Sequence, residues 1–326
     1  MTAKVFESSA DTLGTAQAGE LVRIRSAILA WYQVAHRDFP WRRTRDPYAV
    51  LVSEVMLQQT QASRVAEAFP RFIARFPSAR SLAMASDSAV LAQWSGLGYN
   101  RRALALKRAA SSVASHGWPD SVAGLQEMPG VGPYTARALA SLTFGQRVGV
   151  VDTNVRRWLV RRFGLRDAGA GPQALQTLAD ALALAGSDKE GPVTIAAWTH
   201  ATMELGAAIC AARAPRCHDC PISEGCPSRG QARRVVVPRQ AAYPHSMRAY
   251  RGGVLRLLAA SSRRRMSTNR LLQRLVGPGG IGPQADRATA TRAIAALQRD
   301  GLVHVVGTVV HLGSPAPNGQ PTTIGP

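Results

Sequence analysis

The chain has 326 residues, 46% of them hydrophobic and 18% charged, which is enough apolar material for one large or two modest cores and excludes wholesale disorder. Forty lysines and arginines against twenty acids give a formal charge of +20, a field that draws polyanions, nucleic acid first and an anionic membrane second. No apolar run approaches the roughly 18 residues of a membrane span, and the first twenty residues lack the apolar segment of a signal peptide, so a cytoplasmic protein with no membrane partner is expected.

In chain order, residues 1–20 read as a flexible leader. From about Leu21 to Ala212 helical patterns follow one another, with apolar residues at three and four spacing and Gly, Pro or Asp breaks. "LVRIRSAILAWYQVAH", "YAVLVSEVMLQQTQASRVAEAFPRFIARF", "SAVLAQWSGLG", "RRALALKRAASSVASHG" and "YTARALASLTFG" all carry the pattern, and strand-like alternation is scarce. The expected core domain is therefore all-α, over residues 21–230, ending in a cysteine loop at 210–226. A polar stretch at 231–247 reads as a linker. Beyond it come three helical patterns and "HVVGTVVHL", whose Gly307-Thr308 sits between β-branched runs like a hairpin, giving a winged-helix-like domain over 248–312. Two readings of that domain stand side by side: a second DNA-contacting module whose third helix enters a groove, or a small packing or partner-binding domain. The Pro- and Gly-rich tail at 313–326 is expected to be disordered. No heptad pattern is present, and a monomer is expected.

Three features carry chemistry. "EMPGVGPYTARALASL" places Gly130 and Gly132 directly before an apolar-periodic helix, so that backbone N–H groups and the positive end of the helix converge on a spot suited to a phosphate. Alone, the same pattern is an ordinary turn between helices; in so basic a chain it points to a helix-hairpin-helix. Asp152 opens the next basic helix, "VDTNVRRWLVRR", where an Asp is ordinarily a cap. Glu54 lies in "SEVMLQQTQ", beside Val55, Met56 and Leu57, in company that would keep a carboxyl protonated; its alternative is a solvated helix residue. Breaking a glycosidic bond commonly needs one such acid to protonate the leaving group and one carboxylate to steady the cation. The third feature is the thiol cluster Cys210, Cys217, Cys220 and Cys226, a C-x6-C-x2-C-x5-C spacing that suits either zinc or an iron-sulfur cluster.

From about Phe39 to Cys226 these segments, with "FPWR", "DPY", "GLGY", "PGVGPYTA", "VDTNVRR" and "MELGAAIC", resemble the MutY-type adenine DNA glycosylases of the helix-hairpin-helix superfamily. The resemblance implies a fold of two helical subdomains flanking a DNA cleft, a 4Fe-4S cluster on the four cysteines, and hydrolysis of the N-glycosidic bond of adenine mispaired with guanine or 8-oxoguanine in double-stranded DNA. It implies Glu54 as the acid that protonates adenine, Asp152 as the stabiliser of the sugar cation, Tyr134 as its assistant and Asn154 as its hydrogen-bonding neighbour. It further implies Trp41, Arg42 and Leu57 as the wall of an adenine pocket, and Gln59, the adjoining Thr60 and Tyr99 as residues at the opened duplex. Relatives that cut the strand carry a lysine where this chain has Tyr134, so base removal without strand cleavage is expected.

The chain departs from the family at three places. Asn100 stands where a second aromatic often follows the "GLGY" tyrosine, and His200 stands where Glu or Gln commonly faces the adenine. The region beyond residue 248 does not resemble the nudix-like domain with which many of these enzymes check for 8-oxoguanine. A thymine-excising sister on the same scaffold, with His200 as its support, and a noncatalytic DNA-binding protein are the two rival readings.

Overall fold

The computed structural model describes residues 15–165, 171–186, 191–231, 246–278, 280 and 285–315. Residues 1–14 of the leader, 232–245 of the linker and 316–326 of the tail lie outside the described residues. The chain groups into two compact units, each discontinuous in sequence: Met1–Glu54 with Trp118–Val237, and Val55–Gly117 with Pro238–Pro326.

The first unit contains α1 (Thr15–Ala35), a 3-10 turn (Pro40–Arg43) and most of α2 (Pro47–Leu57). After residue 118 come α7 (Val122–Gln126), α8 (Pro133–Leu142), α9 (Thr153–Arg162), α10 (Pro172–Leu184) and α11 (Pro192–Glu204). Three of these helices, α8, α10 and α11, start at a Gly-Pro step, where the missing N–H of proline costs nothing because the first turn has no partner for it. Ile24 and Ile28 of α1, Trp158 and Leu159 of α9, Leu175 and Leu182 of α10 and Trp198 of α11 meet in one buried cluster. Arg137 of α8 forks onto Asp180 of α10 at 2.9 and 3.0 Å. Gly149 lies so close to α10 that a Cβ there would stand 2.4 Å from the Ala179 carbonyl carbon. These contacts pin the extended segment that delivers Asp152 to the start of α9.

The second unit contains α3 (Ala62–Arg75), α4 (Ala79–Met84), α5 (Asp87–Gln93) and α6 (Arg101–His116). Phe72 and Trp94 meet edge to face at 5.8 Å in its core. The same unit includes α12 (Met247–Ala259), β1 (Arg265–Ser267), α13 (Thr268–Val276), α14 (Arg287–Arg299), β2 (Val303–Val306) and β3 (Val309–Leu312). The strands pair antiparallel in the order β1-β3-β2, and Gly307 at φ 57° makes the β2-β3 turn. That order of helices and strands follows the winged-helix-like outline expected for residues 248–312. Strand β1, only three residues long, is too short to leave a pattern in the sequence. The module seats on α5 through α12 and β3.

The run from Tyr48 to Phe76, whose apolar spacing reads as helical throughout, breaks after Leu57. Gln59 there takes φ 56°, a left-handed conformation that no helix tolerates and that a non-glycine residue adopts only under constraint.

Candidate active site

Helix α2 has almost no solvent face, because Tyr48 through Met56 are all buried. Glu54 is consequently 3% exposed, and its Oε2 has no hydrogen-bond partner. Burial pushes its pKa from 4.5 up to about 7; the nearby Tyr134 hydroxyl opposes that rise and the Asp152 charge adds to it. The solvated alternative for Glu54 is thereby excluded, and Glu54, Tyr134 and Asp152 lie within electrostatic reach of one another. Tyr134, in the first turn of α8, also points its hydroxyl at Met203 Sδ, 3.9 Å away, and burial holds it protonated well above the ordinary tyrosine range.

The hairpin between α7 and α8 turns at Gly130, where φ is 79° and only glycine is unstrained. Gly132 is the N-cap of α8 and supplies no capping side chain, so the N–H groups of that turn have no capping oxygen from it.

Asp152 caps α9 as its position suggested. Its Oδ1 accepts from the N–H groups of Asn154 at 2.8 Å and Val155 at 2.6 Å, and its Oδ2 accepts from Asn154 Nδ2 at 2.7 Å. Burial raises its pKa, and these three bonds oppose the rise by favouring the ionised form. Asn154 Oδ1 in turn accepts from Arg157 at 2.8 Å, and Arg157 donates onward to the carbonyls of Gly206 at 2.5 Å and Cys210 at 2.8 Å. A continuous chain of hydrogen bonds thus links the Asp152 carboxylate to the cysteine loop. Gly206 lies in a π-helical turn, Leu205–Ile209, and a Cβ on it would meet the Asn154 carbonyl oxygen at 2.5 Å. Arg157 and Gly206 were not singled out by the sequence; both sit inside quoted motifs, which was their only signal.

A second carboxylate organises the far end of α11. Glu204, 1% exposed, receives Arg37 at 2.5 and 3.0 Å and Arg42 at 2.7 Å, and these guanidinium bonds hold its pKa below the ordinary value against the burial that would raise it. Arg42 is therefore fixed by Glu204 rather than free on the surface. His200, one turn earlier on α11, has its pKa pushed down to about 3 by burial and then by the Arg42 charge, so its imidazole is neutral. Trp41 is buried and stacks on Phe39 at 4.7 Å.

In the second unit, Gln59 and Tyr99 are both exposed and both left-handed, at φ 56° and 48°. One side chain fastens their two loops. Arg102 donates to the carbonyls of Val55 and Gln58 at 2.6 Å, Met56 at 3.0 Å and Gly98 at 3.1 Å, and to Thr60 Oγ1 at 3.0 Å. Thr60 is thus a loop anchor, and Leu57 is the last residue of α2 before the break. Arg102 was invisible in the sequence as one of forty cations.

The four cysteines form no disulfide, and the other three thiols each act electrostatically on Cys220. Arg161 donates to Cys210 Sγ at 3.4 Å and to the carbonyls of Ala211 and Ala212. Among the described residues, no three His, Cys, Asp or Glu side chains converge on a single ion position.

Residues 52–183 match the HhH-GPD superfamily base excision DNA repair protein family. The chain is 43% identical over 251 residues to an adenine DNA glycosylase of Mycobacterium tuberculosis (strain CDC 1551 / Oshkosh), covering 72% of this chain and 78% of that one. To an adenine DNA glycosylase of Mycolicibacterium smegmatis (strain ATCC 700084 / mc(2)155) it is 39% identical, covering 85% and 91%. Among solved structures it is similar to a thermostable thymine-DNA glycosylase, with a TM-score of 0.57 and 28% identity, covering 66% of this chain and 99% of that one.

Proposed function

From the membership of this chain in the adenine DNA glycosylases of the HhH-GPD base excision repair superfamily, we propose how its own residues release the base. The enzyme is a hydrolase of N-glycosyl bonds in DNA. Its substrate, in this reading, is adenine mispaired with guanine or 8-oxoguanine in duplex DNA, flipped out of the stack and handled by a monomer in the cytoplasm at the nucleoid.

The observation that carries the assignment is a carboxyl with a pKa near 7, buried beside a tyrosine hydroxyl and a second carboxylate. Glu54 gives its proton to a ring nitrogen of adenine, and the C1′–N bond breaks with its electron pair leaving on the base. The sugar is left as an oxocarbenium-like cation, which the Asp152 carboxylate steadies, with Tyr134 alongside. Water then adds to C1′ and its proton returns to Glu54. Gly130 and Gly132 bind a phosphate of the strand, Gln59 and Tyr99 prop the duplex open, and Trp41, Arg42, Leu57 and His200 border the base. With Tyr134 in place of lysine no Schiff base forms, and the backbone stays intact.

Cys210, Cys217, Cys220 and Cys226 would hold a 4Fe-4S cluster. The support is the donor set: four neighbouring thiols, with Cys210, Cys217 and Cys226 all acting electrostatically on Cys220, are what such a cluster takes. When bound, the cluster supplies a structural anchor for the cysteine loop. Arg157 and Arg161 tie that loop to α9, which carries Asp152.

Thymine excision is not favoured, since the 43% and 39% relatives are adenine glycosylases and the thymine enzyme shares 28%. The test is a single-turnover incubation with A:8-oxoG, A:G, T:G and A:T duplexes, followed by alkali. Strand breaks at adenine opposite 8-oxoguanine or guanine, visible only after alkali, are expected; breaks at T:G thymine would overturn the base assignment.

A further inference from the structure

We propose that the face formed by α13 and α14 of the C-terminal module is a second binding site for duplex DNA, seated on the sugar-phosphate backbone. From Ser246 to Pro315 the chain has eleven arginines, no lysine, and only two acids, Asp286 and Asp300. Both acids are engaged inside the unit. Asp300 holds Arg251 and stands 3.8 Å from Arg101 of α6, while Asp286 caps α14 through the Thr289 N–H at 2.7 Å and lies 3.3 Å from the Tyr250 hydroxyl. Asp286 also acts electrostatically on Arg292 and offsets part of the charge there, but the α13-α14 face stays net positive, with Arg270, Arg274, Arg287 and Arg292 against that one acid.

The distribution of side chains on α14 is equally specific. Ala290, Ala293, Ile294 and Leu297 are buried against the module's core. The opposite side exposes Arg287, Thr291, Arg292, Ala295 and Gln298. Small residues between cations let a polyanion approach the helix closely while the arginines reach its charges. Beside this side lies an open recess of about 630 Å³ lined by Ser267, Asn269, Arg270, Gln273 and Arg287. Its size is that of a small-molecule pocket, but its lining is wholly polar or cationic, which suits a hydrated phosphate chain and not an apolar ligand. Arg287 reaches across to Asn269 Oδ1, so α13 and α14 present one surface.

The module rests on α5 through α12 and β3; Arg264 reaches Ser88 at 3.4 Å, and Gly313 lies so close that a Cβ would meet the Ser88 nitrogen at 2.8 Å. The main contacts of the module with α5 thus run through α12 and β3. The helices left over belong to the same compact unit as the Gln59 and Tyr99 loops, so the module extends the DNA contact of that unit. This holds whichever base is excised.

The experiment measures affinity of the full chain for an undamaged 30-base-pair duplex by fluorescence anisotropy across salt concentrations. The triple variant Arg270→Ala/Arg287→Ala/Arg292→Ala is expected to bind about tenfold or more weakly, and the log-log salt slope to fall by about 2 to 3, because each lost phosphate contact removes about 0.9. Single-turnover excision at saturating enzyme is expected to be unchanged. Should the triple variant melt early, Thr291→Glu, a single exposed change on the same face, is expected to weaken binding in the same direction. Unchanged affinity and slope in the folded variants would overturn the proposal. Excision on mispaired duplexes is read separately, so a failure of the adenine assignment leaves this test intact.

Discussion

At the scale of residues, Glu54 shows how burial creates an acid. A carboxyl with a pKa of about 7 is largely protonated below neutrality and ionised above it, so the single-turnover excision rate is expected to fall as pH rises through about 7. Glu54→Gln removes the proton donor and no phosphate contact. Excision is expected to drop by about 100-fold to 10,000-fold, the usual worth of general acid catalysis, with duplex affinity retained in an anisotropy titration. The same substitution has a stability signature. Because the folded pKa lies above the ordinary 4.5, folding takes up a proton between those values, and the associated stability, complete below about 4.5, is lost as pH rises through about 7. A displacement of that size is worth about 3 kcal/mol. Glu54→Gln carries no charge to bury and is expected to gain up to about that amount over the natural protein at pH 8 and little at pH 4, as read by chemical denaturation at the two values. Asp152→Asn is expected to lose excision while melting within a few degrees of the natural chain, since the amide oxygen still accepts the capping bonds from Asn154 and Val155.

At the scale of elements, two loops and one helix junction carry the arrangement. Gln59 and Tyr99 sit in left-handed conformations that cost about 1 to 3 kcal/mol each unless the surroundings over-determine them. Arg102 is the group that does so, with charged donors on carbonyls of both loops, and burial lowers its own pKa to about 10. Arg102→Lys keeps the charge but offers a compact ammonium in place of a planar fork. It is expected to weaken binding to mispaired duplexes about tenfold and to leave binding to undamaged DNA within about twofold, measured by competition anisotropy. Gly206→Ala tests the junction of α9 with the π-helical turn. Its methyl would meet Asn154 backbone at 2.5 Å, so either α9 or the turn must shift. A loss of about 1 to 3 kcal/mol is expected, together with slower excision, because Asp152 is the cap of that same helix.

At the scale of the whole molecule, charge and architecture set how DNA is held. The formal charge of +20 supports steep salt dependence for any duplex. Among the described residues, no helix is long and apolar enough to cross a membrane. The cysteine loop is joined to α9 by Arg157 and Arg161, so Cys220→Ser, which removes one ligand of the proposed cluster, is expected to abolish the cluster's visible absorbance and to lower the melting temperature of the purified protein. The C-terminal module adds an arginine-rich surface to the second unit.

The sequence by itself determined the helical class and marked the hairpin glycines and the four thiols, and through the family resemblance it singled out Glu54 and Asp152, with Tyr134 and Asn154, as candidates. These are legible because each is a local matter: a helix period, a turn that only glycine permits, a cap two and three residues from its donors, or a motif within one stretch of chain. It also outlined the three helices and the hairpin beyond residue 246, apart from the three-residue strand β1, which registers only through its pairing with β3. Tertiary structure alone decided that Glu54 is buried and not solvated, since that depends on what packs around every face of α2. It alone showed that Arg42 and Arg37 are held by Glu204, 162 and 167 residues away, that Arg102 fastens two loops 37 to 47 residues apart in sequence, and that a discontinuous chain builds each unit. A pKa and a long-range hydrogen bond are properties of surroundings, and a sequence states its surroundings only along the chain.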